Sequence, residues 1–195
     1  MKKGCLWAIA IFFIYIIVIN LIGMHTEKDI ASVYNDVDTT SVAKEKSIKS
    51  SEKKGWTHTE EKDEMRGGTD TYDFITSDNA VDFGFPYNGG SSLHIVIRHS
   101  IKYGTDVYLS INKGQFSGNE YSNDNYVSIK FDNGEIKKYY FNEPSDGSTS
   151  TVFLRKEKEL IAKFKTAKNI MIEAPFFQEG RRVFKFNNIE PYSGK

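Results

Sequence analysis

Beyond Trp56 the chain alternates between apolar and polar residues, a period of two that is typical of half-buried β-strands. The segment TDVYLSINKG predicts a strand with three apolar residues on one face, Val107, Leu109 and Ile111. The segment YVSIKFDNG repeats this pattern and runs into Asp132-Asn133-Gly134, a strong hairpin-turn signal. EIKKYYFNE is therefore the predicted partner strand, and STVFLR, KNIMIEAPF and GRRVFKFNN predict three more strands.

One late segment has the helical period instead. In RKEKELIAKFKTAKN, four apolar residues fall on one helical face, and lysines and glutamates occupy the rest: Leu160, Ile161, Phe164 and Ala167. We expect this amphipathic helix to pack across one end or face of the strands. Many short antiparallel strands with one late helix predict a mainly β fold over residues 56–195, an antiparallel β-sandwich or flattened barrel.

The stretch DFGFPYNGGSSLHIVIR leads into another strand. We interpret Asp82 to Tyr87 as an aromatic strand end and Asn88 to Ser92 as a hairpin or bulge. The residues from Leu93 to Arg98 then form a strand whose alternate apolar side chains face the core. The glycines could also form an anion-binding nest, but the pattern G-x-x-x-x-G-K of a phosphate loop is absent.

The first residues predict a membrane anchor. Lys2 and Lys3 precede an uncharged run from Gly4 to Met24, and about 20 apolar residues in a helix cross a bilayer core. The run is long for a cleaved signal peptide, the alternative, and its end lacks a small-x-small cleavage pattern. Residues 1–24 are thus predicted to be a transmembrane signal anchor with a cytoplasmic N-terminus, because the lysines lie on that side.

The polar, charged composition of residues 25–55 predicts a flexible stalk, which would hold the domain on the extracytoplasmic side, in the periplasm or at the cell surface. Lys and Arg number 26, as do Asp and Glu, so the formal net charge is zero. The chain lacks the basic excess by which nucleic-acid binders displace counterions, which argues against a nucleic-acid partner. The single cysteine, Cys5, excludes an intrachain disulfide, and no cofactor or metal motif is present.

The polar residues with the strongest case for a binding role are arginines that close apolar strands. Arg98 and Arg155 each do so, and His94 shares the predicted face of Arg98. We expect the arginines to meet acidic partners such as Asp106 or Glu173 across the sheet. The alternative is recognition of an anionic ligand or a partner's carboxylate, because the guanidinium fork suits bidentate binding. Neither a G-x-S-x-G elbow nor paired histidines on one face suggest catalysis.

Several motifs carry a family resemblance, among them FGFPYNGGSSLHIVIR, GTDVYLSINKGQF and FDNG. Together with the segment from Glu143 to Asn187, they resemble a family of uncharacterised bacterial and prophage-encoded proteins. The Trp56 start and the GTDVYLSINKGQ strand are more loosely similar to the invasion-associated-locus-B type of secreted β-sandwich. The resemblance implies a short export or anchor segment followed by a β-sandwich domain. It also implies two cysteines after the GQF motif, near the positions that Gly118 and Asn125 occupy in this chain.

These observations favour a non-enzymatic protein: a membrane-anchored extracytoplasmic module that binds a protein or an envelope component. One alternative is a hydrolase of the cell envelope that uses paired carboxylates. The prophage resemblance suggests another, a phage exclusion or immunity factor that acts at the membrane.

Overall fold

The computed structural model describes residues 53–65, 67–118, 121 and 123–194. Over these residues the chain forms nine β-strands and one α-helix. The strands are β1 (Thr57–Lys62), β2 (Thr69–Thr76), β3 (Leu93–Ser100), β4 (Gly104–Ile111), β5 (Tyr126–Phe131), β6 (Lys137–Asn142), β7 (Thr151–Leu154), β8 (Ile170–Phe176) and β9 (Gly180–Phe186). The helix, α1 (Glu157–Phe164), lies between β7 and β8 in the chain.

The nine described strands form one antiparallel sheet in the order β1-β2-β3-β4-β7-β6-β5-β8-β9. The prediction of a mainly β, antiparallel fold with one late helix is confirmed. The sheet is open, because β1 and β9 each pair with one neighbour among the described strands. The flattened barrel of the prediction requires closure and is therefore wrong.

Strands from both halves of the sheet contribute to one hydrophobic core. Leu93, Ile95 and Ile97 of β3 are buried, as the alternation predicts, and so are Phe184 and Phe186 of β9. All belong to the same cluster, so the inward side chains of β3 and β9 share one core. Because side chains alternate along a strand, the intervening residues lie on the outward face.

The β5–β6 hairpin forms where the sequence predicts it. The N–H of Gly134 donates to the carbonyl of Phe131 at 2.9 Å, and Asp132 adopts a φ of 48°, a left-handed conformation that Asp tolerates. The Asp132 carboxylate accepts hydrogen bonds from the backbone N–H groups of Lys168 and Asn169, at 3.0 and 2.8 Å. The turn is thus tied to the chain that leads into β8.

Helix α1 is held by packing rather than by a cap. Lys156 precedes it in a left-handed conformation and makes no capping hydrogen bond through its side chain. Leu160 and Phe164 are buried, and the ring of Phe164 lies 5.6 Å from Trp56 and 5.7 Å from Phe131, measured between centroids. A helix of this length depends on such tertiary contacts, because it is too short to be stable alone.

The segment from Asp82 to Tyr87 differs from its prediction as a strand end. It forms a loop that contains a cis peptide bond between Phe85 and Pro86. Proline lacks the N–H that a ladder needs, so the segment turns instead, and the N–H of Tyr87 donates to the carbonyl of Gly84 at 2.9 Å. An isolated bridge between Val81 and Ser91 closes the base of the loop.

Part of the free edge of β9 is covered by the chain that follows β2. Asn79 donates from Nδ2 to the carbonyl of Val183 at 3.0 Å and accepts from the N–H of Lys185 at 2.7 Å. The N–H of Asp78 donates to the carbonyl of Lys185 at 2.7 Å. These two residues satisfy backbone groups that an edge strand otherwise exposes.

The predicted anchor, residues 1–24, and most of the predicted stalk lie outside the described residues. Of the stalk, only residues 53–55 are described, and Lys54 forms a parallel bridge with Ile189 and an ion pair with Asp78 at 2.9 Å. Within the part of the chain that the structure describes, no helix has the length and apolar character needed to cross a membrane.

Candidate functional site

Arg98 and Asp106 lie opposite each other on the outward face of the β3–β4 hairpin. Arg98 Nε donates to Asp106 Oδ2 at 3.1 Å, and Arg98 Nη2 donates to the same oxygen. Both side chains are about one-fifth to one-third exposed. The expected ion pair is therefore present, and it holds the guanidinium in place on the sheet.

Aromatic rings surround this ion pair. The guanidinium carbon of Arg98 lies 5.2 Å from the ring centroid of Tyr103 and 5.4 Å from that of Phe153, both within the range of cation–π attraction. The ring of Tyr108 lies 5.3 Å from that of Phe153. Burial raises the pKa of the Tyr72 hydroxyl, on the neighbouring strand, to about 12. The Tyr72 hydroxyl therefore remains neutral at physiological pH, and Asp106 offsets the positive charge of Arg98.

His94 shares this outward face but does not join the ion pair. It lies four residues before Arg98 along β3, about 13 Å at the rise of a strand. Its Nδ1 is 2.9 Å from the hydroxyl of Thr76, and the side chain is buried. Burial, reinforced by the charge of Lys54, lowers the pKa of His94 to about 4. His94 is thus neutral at physiological pH.

Arg155 lies at the same end of the sheet as Arg98 but has other partners. It follows the last residue of β7, and its Nε donates to Asn142 Oδ1 at 2.9 Å. Glu173, the other expected acidic partner, pairs with Arg181 at 2.8 Å on the far half of the sheet. The structure therefore joins Arg98 with Asp106 and places Arg155 at the same end of the sheet, whereas His94 and Glu173 lie apart from this pair.

Two neighbouring hairpin tips extend the site with apolar side chains. Met65, in the β1–β2 turn, is 90% exposed, and Ile101 and Tyr103, in the β3–β4 turn, are 74% and 57% exposed. The two turns touch, since a Cβ on Gly68 would lie 2.2 Å from Cδ1 of Ile101. These three residues, Met65, Ile101 and Tyr103, are called the tip patch below.

Sequence reasoning missed a polar network on the inward face. Asp73 is buried, and its two carboxylate oxygens contact His58 Nδ1 at 2.6 Å and the hydroxyl of Tyr192 at 2.8 Å. The Tyr192 hydroxyl also lies 3.3 Å from Nε2 of His99. The only signal of this network in the sequence is Asp73 itself, a charged residue at a position of an alternating strand that faces the core.

The pKa shifts of this network favour a structural role. Hydrogen bonds to Asp73 and then to Glu60 raise the pKa of His58, so its protonated form is favoured beside these carboxylates. Burial, and then the hydrogen bond to Asp73, raise the pKa of Tyr192 above its ordinary value. A tyrosine that donates to a carboxylate and resists ionisation is a poor nucleophile. The network ties the C-terminal segment to β2.

Next to His99 the surface forms a shallow, open depression whose lining includes Thr105 and Ile161. No group of acidic, histidine or cysteine side chains within the described residues could hold a metal ion. Compared with known proteins, the chain matches no family model, no curated protein and no solved structure.

Proposed function

We propose that this chain is an interaction module, held outside the cytoplasm by its N-terminal anchor, and that it binds a protein partner through the tip patch. The observation that carries the proposal is the exposure of three large apolar side chains on adjacent turns, beside an arginine that is already fixed. In this proposal the two halves of the sheet, which share one core, fold over as the layers of a sandwich.

The chemistry of the patch suits a protein rather than a small molecule. Tyrosine and arginine are enriched among the residues that dominate protein–protein binding energy, and Tyr103 lies against Arg98. Met65 and Ile101 add flexible apolar area around that pair. Because the patch projects from turns and is not a concave pocket, it fits a complementary surface better than a small ligand.

The enzymatic alternative has less support. An envelope hydrolase needs an acid with a raised pKa, yet the pKa of Glu159 is lowered by Lys137 and then by Tyr139. The pKa of Glu179 is lowered as well, by the backbone N–H of Gly84 and then by Arg182. Exclusion or immunity at the membrane remains a biological setting in which an interaction module of this kind could act.

Photo-crosslinking in membranes tests the proposal. A photoreactive residue at position 103 of the full-length chain should give a discrete crosslinked protein, because the patch lies against the partner. The matched control is position 177, since Phe177 is 57% exposed, as Tyr103 is, and lies in the β8–β9 turn at the opposite end of the strands. Ile101→Ser should reduce the crosslink at 103. No crosslink at 103, or the same products from both positions, would reject the tip patch as the binding surface.

A further inference from the structure

The outward face of β6, β5, β8 and β9 carries an excess of positive charge. Its side chains include four cations and one carboxylate, by the registers of these strands: Lys130, Lys138, Arg181, Lys185 and Glu173. We propose that this surface, called the basic face below, docks on anionic lipid head groups of the membrane that holds the anchor. Nothing in the tip patch requires this contact, so it is a second surface with a different partner.

The one carboxylate of the basic face is already neutralised. Glu173 Oε2 accepts from Arg181 Nε at 2.8 Å and from the hydroxyl of Ser128 at 3.2 Å. Lys130 and Lys185 both lie outside this pair. The lysine charge is therefore not cancelled within the face and attracts an external anion.

Apolar side chains lie between the lysines. Lys130 is opposite Met171 on β8, and Met171 is opposite Lys185 on β9, so three residues form one row across the sheet. Met171 is 37% exposed, and Val183, one row further on, is 41% exposed. Lysines that flank exposed apolar side chains suit a membrane surface, where the ammonium groups meet head groups and the apolar atoms enter the interface.

The two tyrosines of this face, Tyr126 and Tyr140, pack against each other with ring centroids 6.0 Å apart, which argues against nucleic acid as the anion. Arg181 lies 4.4 Å and Lys138 lies 4.1 Å from the ring centroid of Tyr126. Proteins that bind single-stranded nucleic acid use such rings to stack bases, whereas this ring already carries two cations. The cations are also spread over several strands instead of converging on one point, which suits a plane of many head groups.

The membrane is the anionic surface that the anchor would bring nearest. A stalk of about 30 residues would confine the domain close to the bilayer and so raise the effective concentration of head groups at the basic face. The raised effective concentration depends on the anchor in the proposed function, whereas the charge of the basic face does not. The anchor and the basic face can therefore be tested separately.

A fluorescent probe at the centre of the basic face tests the inference. In the full-length Cys5→Ser, Val183→Cys protein, an environment-sensitive dye at position 183 should shift to the blue on vesicles of equal phosphatidylcholine and phosphatidylglycerol. Pure phosphatidylcholine should give no shift. Lys130→Glu with Lys185→Glu should remove most of the blue shift on the anionic vesicles, and added salt should reduce the shift of the protein that keeps both lysines.

The matched control reverses two exposed lysines of helix α1, Lys158→Glu with Lys163→Glu, which gives the same net charge and should leave the shift in place. Equal loss in both double variants, or a shift that does not depend on the anionic lipid, would overturn the inference. A chain that floats with pure phosphatidylcholine vesicles through its anchor but shows no dye shift on the anionic ones would also overturn it, while leaving the anchor and the tip patch intact.

Discussion

Gly118 and Asn125 face each other across the loop between β4 and β5. A Cβ built on Gly118 would lie 3.2 Å from the Cβ of Asn125 and 2.8 Å from its Cα. Cysteine pairs in disulfides have a typical Cβ–Cβ separation of about 3.5–4.5 Å, so the two positions are close enough to be bridged once the backbone shifts to relieve the 2.8 Å contacts with the Asn125 Cα and with Cζ of Phe141. The resemblance suggested by the sequence motifs predicts cysteines near these two positions.

The double variant Gly118→Cys, Asn125→Cys should form a disulfide under oxidising conditions. The oxidised form should be more stable than the reduced form of the same variant by about 2 kcal/mol, because the bond closes a short loop in the unfolded chain. Urea denaturation with and without reductant measures this difference. The parent chain, whose only cysteine is Cys5, is the control. Free thiols at both positions in the folded, oxidised sample would contradict the geometry.

Arg98→Ala should lower the free energy of unfolding by about 1–2 kcal/mol, because it removes two hydrogen bonds to Asp106 and the contacts with Tyr103 and Phe153. Asp106→Ala should lower the free energy of unfolding by a smaller amount, since it leaves the aromatic contacts of Arg98 in place. A double-mutant cycle with Asp106→Ala gives the coupling between the two side chains. A cost for Arg98→Ala no larger than that for Asp106→Ala would mean that the rings contribute nothing.

The pH dependence of stability should report on His94. Its folded-state pKa is about 4, below the value of 6.5 expected in the unfolded chain, so the unfolded state binds the proton between these limits. Stability should therefore fall as the pH drops from 6.5 towards 4, by up to about 3 kcal/mol. His94→Gln should flatten this slope, which denaturation at a series of pH values measures. An unchanged slope would show that His94 titrates normally.

Tyr192→Phe should destabilise the chain by about 1–2 kcal/mol, because the buried carboxylate of Asp73 loses a hydrogen-bond donor. The effect should be local to the C-terminal segment. Hydrogen exchange should accelerate at the amide of residue 192, whose N–H donates to the carbonyl of Phe164 at 2.9 Å. Exchange at the amide of Ile95, in the middle of β3, is the reference. Acceleration at both sites alike would mean that Tyr192 does not act locally.

Local patterns predicted the parts of the fold that depend on neighbours in the sequence. The alternation in TDVYLSINKG and YVSIKFDNG, the Asp132-Asn133-Gly134 turn and the helix around Phe164 all follow from residues within one segment. The Arg98–Asp106 pair was within reach for the same reason, since the two residues belong to one hairpin. The open form of the sheet could not be predicted from local patterns, because closure depends on how strands that are distant in the sequence meet.

The buried network around Asp73 shows more clearly what local sequence patterns cannot predict. Asp73 and Tyr192 are 119 positions apart, and no pattern in either segment indicates the other. The loop from Asp82 to Tyr87 was misread for a different reason, since its aromatic residues satisfied a strand pattern while Pro86 prevented strand pairing. Polar contacts between distant segments become visible only once the fold has placed those segments side by side.

The cover over β9 has a consequence for self-association. Asp78 and Asn79 bond to the backbone of Val183 and Lys185, so among the described strands β1 is the terminal strand with the more open edge for another chain. A subunit with a single such edge can pair with one identical copy, after which no edge is left to continue the chain of contacts. Strand addition between copies is therefore expected to favour a dimer through β1 over longer fibres.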